Sequence, residues 1–216
     1  TNLSALELKR HLGVNYKAAW RLKHKVMQAM MEREETRTLD GFVQIDDAYL
    51  GGERNGGKRG RGAEGKQAFI AAVSTDENLD HPTYAVMEPV PTFSNECVRD
   101  WAQRRLAPEA EVYSDGLACF AQVVDLEHAH TVLVTEGGRA ATQVRGARWV
   151  NTVLSNVKRA IDGRYHAIRQ AKYARRYLGE AMYRFNRRFH LGEMLVRLVH
   201  AMLACKPHAE PKLRMA

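Results

Sequence analysis

The chain has 216 residues, of which 45% are hydrophobic, so it can form one sizeable domain and a small additional segment. No stretch approaches the roughly 18 consecutive apolar residues of a membrane span, and the N-terminus lacks the pattern of a signal peptide. We therefore expect a cytoplasmic protein that does not bind membranes. The three cysteines are widely spaced, which indicates reduced, buried thiols rather than a disulfide framework or a CxxC metal motif.

The net charge of +8 is distributed unevenly along the chain. Residues 139–216 carry 17 Lys and Arg against 4 Asp and Glu, a net charge of +13, which leaves −5 for residues 1–138. Such an excess attracts polyanions, because each neutralised phosphate releases condensed counterions. Charge alone does not distinguish DNA from RNA or an acidic membrane surface, and a solvated basic surface is the alternative interpretation.

The N-terminal pattern predicts two helices joined by a turn. Ser4 and Glu7 have the spacing of a capping box, Gly13 supplies the turn, and Asn15 can cap the second helix. The second helix is predicted to have an apolar face formed by Ala19, Leu22, Val26 and Met30. Its polar face is predicted to consist of Lys17, Arg21, His24 and Gln28. This pattern is typical of a DNA-binding helix-turn-helix, although an ordinary helical hairpin fits equally well.

A strand is predicted over residues 41–50, where β-branched and aromatic residues lead to Asp46 and Asp47. The next segment, residues 51–66, contains seven glycines and several basic residues, which include Lys58, Arg59 and Arg61. It lacks the arrangement of a phosphate-binding P-loop. We expect a flexible loop that contacts a phosphate backbone, with an idle surface hairpin as the alternative.

The remaining pattern alternates between strands and helices. Strands are predicted at residues 67–74, 83–90, 111–114 and 131–135, and helices at residues 94–106, 117–124, 149–161 and 193–205. A further helix precedes the last one and contains Leu178 and Met182 on its apolar stripe. The alternation after the first three strands implies an α/β fold with a mixed sheet.

Three polar residues occupy positions suited to a metal site. Asp46 lies near the end of one predicted strand, Asp115 follows another, and Asn151 opens a helix after 35 intervening residues. Hard cations such as Mg²⁺ prefer oxygen ligands, and paired divalent ions assist phosphodiester cleavage. Because neighbouring side chains on a strand point to opposite faces, we expect Asp46 to be a ligand and Asp47 not. Lys158 lies seven residues after Asn151 on the same flank of the helix.

Each candidate residue also has an ordinary interpretation. Asp115, in Ser-Asp-Gly, is typical of a turn, and Lys158 is either a DNA phosphate contact or a surface charge. His166 either orients a substrate or water, or packs beside its neighbours. Arg184 either follows a phosphate backbone or pairs with Glu180 one helical turn away.

Four strings resemble the insertion-sequence transposases of the DDE superfamily. Residues 43–52 resemble the strand that carries the first acid of that family, and Tyr113-Ser114-Asp115-Gly116 resembles the second. Residues 149–166 resemble the helix of the third motif, and residues 183–188 resemble the C-terminal signature. Most members carry glutamate at the third position, and the resemblance is to a branch with asparagine there and lysine seven residues later.

The resemblance implies an RNase H-like mixed sheet flanked by helices over residues 39–190. A helix-turn-helix would occupy residues 1–31, and a C-terminal helix and tail residues 191–216. It also implies Mg²⁺, with Mn²⁺ as a substitute, bound by Asp46, Asp115 and Asn151. The implied catalytic set is Asp46, Asp115, Asn151, Lys158 and His166.

The implied activity is metal-dependent DNA cleavage at transposon ends and transfer of the freed 3′-hydroxyl into target DNA. Its partners would be terminal inverted repeats, target DNA and further copies of the chain, in a nucleoid-associated complex. The expected DNA contacts are Lys17, Arg21, Lys58, Arg59, Arg61, Lys158, Arg159, Arg184, Arg187 and Arg188. The alternatives are a DNA-binding remnant without catalysis and an RNase H-like nuclease without strand transfer. Members often carry an N-terminal zinc ribbon, which this sequence lacks; we interpret this as trimming or as impaired recognition of the ends.

Overall fold

The computed structural model describes residues 3–51, 66–134, 140, 142–164 and 173–215. The chain divides into two compact units. The sheet unit comprises residues 36–50 and 67–157, and the helical unit comprises residues 1–35, 51–66 and 158–216. Four predicted site residues lie outside the described residues, namely Lys58, Arg59, Arg61 and His166. The predicted segments 1–31, 39–190 and 191–216 stay predictions.

The sheet unit is built on five strands. They are β1 (Phe42–Leu50), β2 (Gln67–Thr75), β3 (Pro82–Pro89), β4 (Glu111–Ser114) and β5 (His130–Val132). Their order across the sheet is β3-β2-β1-β4-β5. The first three strands pair antiparallel, whereas β4 is parallel to both β1 and β5. The predicted mixed sheet is therefore confirmed, and the topology is consistent with the expected RNase H-like fold.

Helices α3 (Asn95–Arg105) and α4 (Arg145–Arg164) accompany the sheet. Trp101 of α3 is fully buried, and the predicted apolar stripe of α4 is buried at all five positions, Val150, Val153, Leu154, Val157 and Ile161. The helix predicted at residues 117–124 forms as a 3-10 helix, Ala118–Leu126. Two consecutive β-branched residues near its end, Val123 and Val124, disfavour the α-helical form.

The helical unit contains α1 (Ala5–Leu12), α2 (Tyr16–Glu34), α5 (Ala174–Phe185), α6 (Met194–Ala204) and α7 (Glu210–Met215). The predicted caps of the first two helices are confirmed. Ser4 accepts from the Glu7 amide, Gly13 adopts φ 64°, and Asn15 accepts from the Ala18 amide. Among the described residues, no helix combines the length and the apolar character that crossing a membrane requires.

The predicted division of α2 into faces is wrong at three positions, whereas Ala19 is buried and Lys17 and Arg21 are exposed as predicted. His24 is 2% exposed and Gln28 is 6% exposed, whereas Leu22 is 41% exposed. The cause is Arg176 of α5, whose Nε donates to Gln28 Oε1 over 2.8 Å and whose Nη1 lies 3.2 Å from His24 Nδ1. These polar side chains are buried because they satisfy one another. Whether the first two helices bind DNA as a helix-turn-helix stays a prediction.

Arg187 does not agree with the prediction of a DNA contact. Its side chain is only 7% exposed and forms an ion pair with the fully buried Glu34. Its guanidinium also stacks 3.6 Å from the centre of the Tyr183 ring. If Arg187 turned outward to bind DNA, the buried charge of Glu34 would lose its partner. The ion pair therefore holds Arg187 in the core of the helical unit.

Candidate metal centre

Three predicted site residues share one cleft of the sheet unit. Asp46 of β1, Asp115 after β4 and Asn151 of α4 all line it. The first two come together because β1 and β4 are parallel neighbours, paired from Phe42 to Gln44 on the β1 side. The expectation that these separate motifs meet in space therefore agrees with the structure.

Asp47 lies closer to the site than strand alternation predicted. Carboxylate oxygens of Asp46, Asp47 and Asp115 all lie within 4.8 Å of one another. Pairing between β1 and β4 stops at Gln44 and β4 ends at Ser114. Asp115 therefore follows the end of its strand, beside the edge of β1, where carboxylates from both faces can approach it. The prediction that Asp46 rather than Asp47 is the ligand stays a prediction, although Asp47 lies near Asp115 as well.

The backbone after β4 orients Asp115. Its Oδ1 accepts a hydrogen bond from the Leu117 amide at 3.1 Å, and Gly116 adopts φ 83°, a conformation that favours glycine. The preceding residue, Ser114, is buried, and its hydroxyl lies 2.8 Å from His130 Nε2. Burial lowers the pKa of His130. These contacts fix the turn that presents the carboxylate.

Asn151 is oriented by its own helix. Its Nδ2 donates to the carbonyl oxygen of Ala147 at 2.9 Å, one turn earlier on α4. Since a carbonyl oxygen only accepts, the amide nitrogen must face Ala147. The amide oxygen is then the atom of Asn151 that remains for a cation, and its role as a ligand stays a prediction.

Gln44 connects the strand of Asp46 to the helix of Asn151. This fully buried side chain donates through Nε2 to the carbonyl of Arg145 at 2.8 Å. Its Oε1 accepts from the amides of Trp149 and Val150 at 2.8 and 3.2 Å. Arg145 and Trp149 are four residues apart, so the side chain bridges two groups that an α-helix normally pairs. Gln44 therefore fixes the first turns of α4 to β1.

Gly146 allows the same turn of α4 to approach β4 closely. A Cβ atom at this position would lie 2.9 Å from Cδ1 of Tyr113 and closer still to the side chain of Leu133. Any larger residue would therefore displace the helix or these neighbours. Sequence analysis missed the roles of Gln44, Gly146 and His130. The only signal for Gln44 was a polar residue in an apolar strand, two positions before Asp46 and hence on its face.

Lys158 and Arg159 lie on α4, two turns after Asn151, and both are exposed. The division of the chain assigns them to the helical unit. Their exposure leaves their charges accessible to a polyanion. The predicted DNA contacts of Lys158 and Arg159, and the predicted catalytic role of Lys158, stay predictions.

The donor set of the cleft fits a hard divalent cation. Asp46, Asp47 and Asp115 offer charged oxygens and the Asn151 amide can offer a neutral one, and Mg²⁺ and Mn²⁺ prefer oxygen ligands. Three carboxylates at this separation repel one another, so a bound cation relieves an unfavourable interaction. Among the residues that the structure describes, no sulfur or imidazole ligand of the kind that zinc prefers belongs to this cluster.

The sequence profile of the ISXO2-like transposase domain matches residues 38–186. This range contains the cleft and all three carboxylates. Searches of curated proteins and of solved structures found no match. The match supports a DNA transposase, a class of enzyme that generally uses divalent metal ions. Because the profile covers more than half of the chain, the protein belongs to the ISXO2-like transposase family.

Proposed function

We propose that the protein cuts DNA at the ends of an insertion sequence in a metal-dependent reaction and joins the freed 3′-hydroxyl to target DNA. The observation that carries the proposal is the cleft that brings together Asp46, Asp115 and Asn151. These residues are distant in sequence. The chain belongs to a transposase family, and enzymes of this class generally use divalent metal ions, so the cleft is a candidate for the site of DNA cleavage.

In this proposal Asp46 and Asp115 hold Mg²⁺ or Mn²⁺ and Asn151 adds its amide oxygen. When bound, such ions activate the attacking oxygen and stabilise the leaving oxygen of a phosphodiester. Asp47 is close enough to contribute a further oxygen. Gln44 keeps Asn151 in register with Asp46, because it joins their two elements.

We further propose that exposed basic side chains hold the DNA backbone. Lys158 and Arg159 are exposed, and Lys17 and Arg21 of α2 lie 3.8 and 3.5 Å from the carboxylate of Glu210. Exposed ion pairs of this kind are weak and are readily replaced by phosphate. Arg184 and Arg188 are half-buried and remain in the proposal, whereas Arg187 is omitted because it is buried.

The test is strand cleavage and joining on labelled DNA that carries the ends of the element, with Mg²⁺ or Mn²⁺. We expect products from the wild type and none from the Asp115→Ala variant. The matched control is Asp125→Ala, which removes an exposed carboxylate that pairs with Arg99. Its products should equal those of the wild type.

Other outcomes distinguish the alternatives. Salt-sensitive DNA binding by the wild type without products would indicate a remnant that has lost catalysis. Cleavage of RNA–DNA hybrids in preference to the element's ends, without joining, would indicate a nuclease. Either result would overturn the proposed strand transfer.

We also propose that copies of the chain assemble on DNA, since two transposon ends must be held together for joining. Light scattering with and without end DNA measures this directly. A complex whose mass equals that of one chain and its bound end DNA would contradict assembly.

A further inference from the structure

A second group of metal-ligating side chains lies in the helical unit. Glu32 is near the end of α2, and Cys205 and His208 belong to the segment between α6 and α7. One ligand atom from each lies within 4.8 Å of the other two. His208 Nε2 is 2.6 Å from Glu32 Oε1. All three residues are half-buried, and none belongs to the cleft described above.

We propose that Glu32, Cys205 and His208 bind Zn²⁺ or a similar borderline divalent cation, with water as a fourth ligand. The proposal does not depend on DNA cleavage. One nitrogen, one sulfur and one oxygen form a mixed set that suits Zn²⁺ and disfavours Mg²⁺. Binding requires the Cys205 thiolate, so one proton leaves the sulfur as the sulfur–metal bond forms.

The separations are compatible with tetrahedral coordination. Zinc bonds of about 2.3 Å to sulfur and about 2.0–2.1 Å to nitrogen or oxygen place the ligand atoms about 3.3–3.6 Å apart. The three atoms now lie within 4.8 Å of one another, and His208 Nε2 lies 2.6 Å from Glu32 Oε1. Side-chain rotations are therefore sufficient to form the site. Cys205 and His208 are separated only by Lys206 and Pro207, so one short segment supplies two of the three ligands.

Glu32 is already oriented by a chain of hydrogen bonds. Gln28, one turn earlier on α2, donates through Nε2 to Glu32 Oε1 at 2.8 Å. Its own Oε1 accepts from Arg176 Nε at 2.8 Å, which fixes the orientation of the amide. Outer contacts of this type hold metal ligands in position and tune their affinity. A bound ion would tie the segment after α6 to α2.

The experiment is a titration of metal-free protein with Co²⁺, followed by absorption spectroscopy. Thiolate coordination gives a charge-transfer band in the near ultraviolet, and tetrahedral Co²⁺ gives intense visible bands. Binding at the Asp46 and Asp115 carboxylates produces no thiolate band, because that cluster contains no sulfur. We expect a band that saturates at one equivalent and disappears when Zn²⁺ displaces Co²⁺.

Variants identify the ligands. Cys205→Ser should abolish the thiolate band, and His208→Gln should weaken Zn²⁺ binding by at least about tenfold. The matched control is Cys97→Ser, which removes another half-buried free thiol, on α3, and should leave the band unchanged. A wild-type protein without a thiolate band would overturn the proposal, as would a band that survives Cys205→Ser or is lost in Cys97→Ser.

Discussion

Replacement of Gln44 by methionine tests how the metal centre is assembled. Methionine nearly preserves the length and volume of the side chain but removes its hydrogen bonds to Arg145, Trp149 and Val150. A hydrogen bond contributes about 0.5–1.5 kcal/mol, so three bonds give an upper limit of about 4.5 kcal/mol. If the helix closes its own bond between Arg145 and Trp149, the loss falls to about 1 kcal/mol. We expect the free energy of unfolding to fall within this range.

The consequence for catalysis should be larger than the loss of stability. Asn151 reaches the cleft from the turn of α4 that Gln44 holds, and a displacement of about 1 Å can cost about a hundredfold in rate. We expect cleavage to slow by about 10- to 100-fold under conditions where the variant is folded. Urea denaturation and end cleavage are the two assays.

The control for Gln44→Met is Gln67→Met, in which the lost amide bonds only the carbonyls of Ala68 and Val90. It should leave the rate of cleavage unchanged. Gln44→Met with an unfolding free energy within about 0.5 kcal/mol of the wild type and an unchanged cleavage rate would refute the bridging role.

Three further predictions concern other positions. Asn151→Ala should abolish most metal-dependent cleavage, while Asn151→Asp retains part of it, because the amide oxygen is the functional atom. Gly146→Ala should lower the free energy of unfolding by about 1–3 kcal/mol, because the added Cβ would contact the Tyr113 ring at 2.9 Å. Burial and Arg176 lower the pKa of His24 to about 3. Below about pH 6.5 the unfolded chain binds a proton that the folded chain does not. The free energy of unfolding therefore decreases as the pH is lowered from about 6.5 to about 3, by up to about 1.4 kcal/mol per pH unit.

Each of these predictions has a result that contradicts it. Full cleavage by Asn151→Ala in an end-cleavage assay would remove that residue from the site. Gly163→Ala is the control for Gly146→Ala, because a Cβ at Gly163 meets nothing within 4 Å; equal losses in urea denaturation would refute the packing argument. For His24, a His24→Asn variant should lose the slope between pH 7 and pH 5. An unchanged slope would show that another group titrates.

The sequence predicted those features that depend on local pattern. Asp46 lies on the predicted first strand, Asp115 follows a predicted strand and Asn151 lies on a predicted helix, and the resemblance to the DDE transposases indicated that the three residues meet. The caps at Ser4 and Asn15 followed from side-chain chemistry alone. Helix caps are predictable because the residues that determine them are neighbours in the chain.

The features that the sequence missed depend on partners far away in the chain. His24 and Gln28 looked like surface residues until Arg176, about 150 positions later, satisfied them in the core. Arg187 looked like a DNA contact, yet Glu34 holds it in a buried ion pair. Asp47 joined the acidic cluster because the pairing of β1 with β4 stops before it. No local periodicity contains this information.

The cleavage activity of Asp115→Cys in Mg²⁺ and in Mn²⁺ tests most directly whether Asp115 binds a catalytic metal ion. A thiolate is a poor ligand for the hard Mg²⁺ and a better one for the softer Mn²⁺. We predict that the variant loses cleavage in Mg²⁺ and recovers part of it in Mn²⁺, while the wild type is active in both. Full activity of the variant in both metals, or a loss that Mn²⁺ does not relieve, would contradict it.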